Sequence, residues 1–138
     1  MRKTVIITVL IFSTALLTFA QGLNSNASHI KKNYSSDYEL TLKKHALEEW
    51  RDDFEMVVYE INQQADALIK LIDEFKSDNT NIAFKAIQEW SVDGYLNQNI
   101  TKFKSIQTFG LKELLKLHCD WEMVKYEYDN QVKAKNSF

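Results

Sequence analysis

Apolar side chains recur every three or four residues through the central part of this chain. The positions that share the spacing are Leu47, Trp50, Phe54, Val57, Ile61, Gln64, Leu68, Leu71 and Phe75, and all except Gln64 are apolar. This period is typical of an α-helix with one buried face. The chain has no proline, and no glycine lies between Gly22 and Gly94, so neither residue type interrupts the segment. The pattern predicts one long helix over about residues 36–76.

Shorter apolar stripes follow this segment. The first predicts a helix of about three turns, and its members are Ile82, Ala86, Ile87 and Trp90. Two further stripes consist of Leu96, Ile100, Phe103 and Ile106, and of Leu114, Leu117, Trp121, Val124, Tyr128 and Val132. Gly110 lies between these two, and glycine in a helix costs only about 1 kcal/mol relative to alanine, so one kinked helix and two separate helices both remain open.

Connection lengths favour a break or sharp kink near Gly110. With a break, the last helix can run antiparallel to the long first helix and cover its apolar face. Without one, the last helix would run parallel to the first and leave much of that face uncovered. The sequence therefore predicts an all-α protein, an antiparallel bundle of three or four helices built on one long N-terminal helix.

The N-terminus has the organisation of a secretory signal peptide. Arg2 and Lys3 precede an uncharged apolar stretch, and Thr18 and Ala20 supply small residues before a cleavage point at Gln21. Residues 1–20 are expected to be removed, although an uncleaved anchor is the alternative. Residues 21–35 are rich in Asn and Ser and are predicted to form a flexible lead-in. Residues 36–135 would then form a single helical-bundle domain in an exported protein, periplasmic or extracellular, with no transmembrane segment after cleavage.

Charge and composition argue against several classes of partner. The formal net charge is −2, and loss of Arg2 and Lys3 makes the chain more acidic. A mildly acidic protein lacks the basic excess that attracts nucleic acid. The chain has three glycines, too few and too scattered for a phosphate-binding loop. We therefore expect no nucleic-acid partner and no cofactor.

The segment "HCDWE", residues 118–122, combines types of side chain that can bind metals or react. We interpret it as part of an amphipathic helix with Trp121 in the core. His118 and Glu122 are four residues apart and give only two ligands, whereas a zinc site requires at least three. The single cysteine, Cys119, is expected to be an inert thiol in mid-helix, and a disulfide-linked dimer is the alternative. No catalytic or metal residue is predicted.

Four residues form a candidate interaction surface: Gln64, Trp121, Tyr126 and Tyr128. A polar residue at a buried position can fix register or partner choice, and tyrosines are common at interfaces. The leading hypothesis is a non-enzymatic protein that binds a protein partner or itself. The alternative is a carrier that holds a small apolar ligand in a cavity between helices.

Overall fold

The computed structural model describes residues 22–74, 78–91 and 110–138. Within these ranges the chain forms six helices and no strand. They are α1 (Ser25–Asn33), α2 (residues 35–50), α3 (Phe54–Glu74), α4 (Thr80–Trp90), α5 (Leu111–Leu115) and α6 (Trp121–Asn136). The expected all-α class is confirmed, and a helical bundle fits the arrangement. Within these ranges no helix is long and apolar enough to cross a membrane. The expected signal peptide lies outside them.

The single long helix expected over residues 36–76 is divided in two. Helix α2 ends at Trp50, and the next residue, Arg51, has a φ of 52°, which non-glycine residues rarely adopt. Helix α3 then starts at Phe54, and the Asp53 carboxylate accepts a hydrogen bond from the Met56 amide at 3.3 Å. This is an N-cap interaction, which favours the start of a new helix. The chain reverses here, so α2 packs back along α3.

Helix α2 contains a π-helical turn over Tyr38–Lys43. The Thr41 hydroxyl donates to the Asp37 carbonyl, one turn earlier in the chain. A threonine that bonds this carbonyl competes with the regular backbone bond and locally distorts a helix. The distortion lies where Thr41 and Leu42 are buried against the core.

The segment expected to be a flexible lead-in contains helix α1. Asn24 caps this helix by accepting from the Ala27 amide at 2.9 Å. The Asn24 side chain also donates to Asp66 of α3 at 3.0 Å, and Ala27 and Ile30 are fully buried. The segment has too few apolar residues to show a helical period, and its order comes from these contacts with α3.

Helices α4 and α6 run antiparallel to each other. The Asp120 amide donates to the Trp90 carbonyl at 3.3 Å, and at the other end Lys135 donates to Asn79 at 2.9 Å. Between these ends Ala83, Ala86 and Ile87 are buried. The predicted second helix is therefore present and begins two residues before its first apolar position.

Helix α6 does not run antiparallel to the first long segment as expected. Gln64 of α3 contacts Trp121 at the start of α6, while Glu74 at the end of α3 contacts Lys125. The two helices therefore run in the same general direction, and α4 is the antiparallel partner of α6.

The break or kink predicted near Gly110 is seen only in part. Gly110 has an extended backbone and precedes α5, so the chain is not helical at this residue. Whether a helix ends just before it, and whether the third apolar stripe is helical, concerns residues outside the described ranges. A second break was not predicted: residues 116–120 separate α5 from α6, and His118 has a φ of 49°.

Candidate functional site

The break between α5 and α6 is a buried polar junction centred on Gln64. The Gln64 Oε1 accepts a hydrogen bond from the Trp121 amide at 2.6 Å. Its Nε2 donates to Asp120 Oδ1 at 2.8 Å and to Glu60 Oε1 at 3.0 Å. A backbone amide can only donate, so the bond from Trp121 fixes which end of the Gln64 amide is the oxygen. Gln64 therefore joins α3 to the start of α6 through two hydrogen bonds, and the third holds its side chain to Glu60 on α3 itself.

Asp120 is the N-cap of α6. Its Oδ1 accepts from the Met123 amide at 3.3 Å as well as from Gln64. The first amides of a helix have no partner within the helix and need one from outside. Asp120 supplies the partner for Met123, and Gln64 supplies the partner for Trp121, which is fully buried. The start of α6 thus depends on a side chain that lies 57 residues away in sequence.

Cys119 is not in mid-helix as expected but in the segment that joins α5 to α6. It forms an isolated antiparallel bridge with Ser91, and its thiol lies 3.5 Å from the Leu117 carbonyl oxygen. Burial raises the pKa of the Cys119 thiol well above its usual range, and the neighbouring Asp120 carboxylate raises it further. A protonated, buried thiol is a poor nucleophile, which agrees with the expected inert cysteine.

A small pocket lies beside this junction. Its volume is about 100 Å³, and it is partly open to solvent. Helix α2 contributes Thr41, Leu42, His45 and Ala46, helix α3 contributes Glu60 and Gln64, and the junction contributes Cys119 and Asp120. These residues combine apolar walls with two carboxylates and an imidazole, and there is no lysine or arginine among the described residues of the lining.

Two histidines lie near each other at the edge of this site. The rings of His45 and His118 are 6.5 Å apart between centroids and meet edge to face. The Nδ1 of His45 lies 3.6 Å from Glu48, and its Nε2 is buried without a hydrogen-bond partner among the residues that the structure describes. In the described part of the chain, no group of three or more His, Cys, Asp or Glu side chains is arranged to hold a metal ion.

The four residues of the candidate interaction surface do not form one surface. Trp121 is fully buried, Tyr128 is 3% exposed and Gln64 is 7% exposed. Only Tyr126, at 62%, faces solvent. Trp121 and Tyr128 are core residues, and Gln64 does fix the position of a helix, although that helix belongs to the same chain.

Sequence reasoning missed the pocket and most of the junction. The pocket joins His45 to Glu60, which are 15 positions apart in what was expected to be one continuous helix. Such a helix would hold them about 22 Å apart, so the pocket exists only because the chain reverses at residues 51–53. The available signals were Asp53 and Asp120, each of which immediately precedes a helix start.

Comparison with known proteins gave no match to a protein-family model, to a curated protein or to a solved structure. The functional argument therefore depends on the geometry of this chain.

Proposed function

We propose that this protein is exported and acts without catalysis, by binding another protein through an exposed aromatic side chain on α6. The observation that supports this most is the position of Tyr126. Its neighbours Val124 and Tyr128 are buried, whereas Tyr126 projects from the opposite side of the helix and is 62% exposed. Exposed tyrosines are enriched at the centres of protein interfaces, where they supply a large contact area with few rotatable bonds.

The helix that carries Tyr126 is firmly held. The adjacent Lys125 contacts Glu74 of α3 at 3.0 Å and Asp129 at 2.6 Å. Val124 packs in the core together with Trp121. A partner that covers Tyr126 would therefore meet a surface that is already ordered, which lowers the entropic cost of binding.

The alternative of a small apolar-ligand carrier has less support. Ligand pockets that enclose a drug-sized molecule have volumes of about 300 Å³ or more. The pocket beside the polar junction is about 100 Å³ and contains two carboxylates. It suits a smaller and more polar ligand than such a carrier would hold.

The test is a pull-down from the native envelope fraction with the purified protein as bait. We expect a specific protein to be retained by the wild type and lost with Tyr126→Ala. Phe138→Ala is the matched control, because Phe138 is also an exposed aromatic but lies outside α6. Equal retention by both variants, or no retained protein together with a monomeric mass by light scattering, would contradict the proposal. N-terminal sequencing of the mature protein tests export, with Gln21 expected as the first residue.

A further inference from the structure

We draw no further inference here: the strongest candidate, the surface patch at the turn between α2 and α3 where the exposed Phe54 side chain lies among Asp52, Asp53 and Glu55, carries nothing, because nothing in the structure shows what covers it.

Discussion

Two breaks, residues 51–53 between α2 and α3 and residues 116–120 between α5 and α6, have similar backbone and capping geometry but differ in burial. In each, a non-glycine residue has positive φ, Arg51 in one and His118 in the other. In each, an aspartate then caps the next helix through a bond of 3.3 Å to the amide three residues later. The turn at residues 51–53 is exposed throughout, whereas Cys119 in the second break is 6% exposed.

This difference separates a local turn from a tertiary junction. The bond at Asp53 is with its own helix, whereas Asp120 is also bonded to Gln64 of α3 and to the Trp90 carbonyl of α4. Water can replace a partner that is lost at an exposed turn, but it reaches a buried one only at a cost. Equivalent substitutions at the two breaks should therefore have unequal effects.

The largest effect should follow from Gln64→Leu. This substitution keeps the approximate size of the side chain but leaves the buried Trp121 amide without an acceptor. We expect the free energy of unfolding to fall by about 3 kcal/mol, because a buried group without a partner costs about 1–3 kcal/mol and two such bonds to the junction are lost. Urea unfolding measures the change. Gln63→Leu is the matched control, and similar losses in the two variants would show that the junction contributes little.

A direct comparison of the two caps should give the next largest effect. Asp53→Ala should lower the free energy of unfolding by about 1 kcal/mol, the usual cost of losing an N-cap. Asp120→Ala should cost about 2 kcal/mol, because it also removes the partner of the Gln64 amide. Urea unfolding of both variants checks the order, and a larger loss at Asp53 would reverse our interpretation of the two breaks.

Alkaline conditions should weaken the buried junction through Cys119. The pKa of its thiol is raised from the ordinary value of 9.0 in the folded protein, so the unfolded chain releases this proton first. The contribution is fully present below pH 9 and is lost as the pH rises above it. Between pH 8 and pH 10 the wild type should lose about 1 kcal/mol more stability than Cys119→Ala. Parallel pH profiles of the two proteins would contradict this.

The smallest expected effect is a gain at the exposed turn. Arg51→Gly should relieve strain of about 1–2 kcal/mol from the positive φ, while the greater freedom of glycine in the unfolded chain offsets up to about 1 kcal/mol. We expect a net stabilisation of about 0.5 kcal/mol, measured as an increase in the melting temperature. Arg51→Ala removes the same side chain without relieving the strain, so an equal gain there would assign the effect to the arginine side chain.

The sequence predicted the buried faces better than the breaks between them. Ile61, Leu68 and Leu71 are buried as their spacing requires, and so are Trp121 and Val124. The period shows which side of a helix is apolar, but it continues in phase through the turn at residues 51–53. There the stripe position Phe54 falls at a helix start and is 66% exposed.

The candidate sites depend on contacts that have no local signal. Gln64 was identified as a polar residue at a buried position, but its partner Trp121 lies on another helix and could not be inferred from spacing. His45 and Glu60 meet only because α2 folds back on α3. The ion pair between Glu74 of α3 and Lys125 of α6 likewise joins residues that are far apart in sequence.

Helix α1 has a practical consequence for anyone who shortens this protein. A fragment that starts at residue 36 would match the predicted domain, yet it would lack the Ile30 side chain and the Asn24 contacts with Asn62 and Asp66. The apolar part of the α3 surface that these residues cover would be exposed to water. Because exposed apolar patches promote association, such fragments should aggregate during purification. A recombinant fragment that is meant to keep this fold should therefore start close to Gly22.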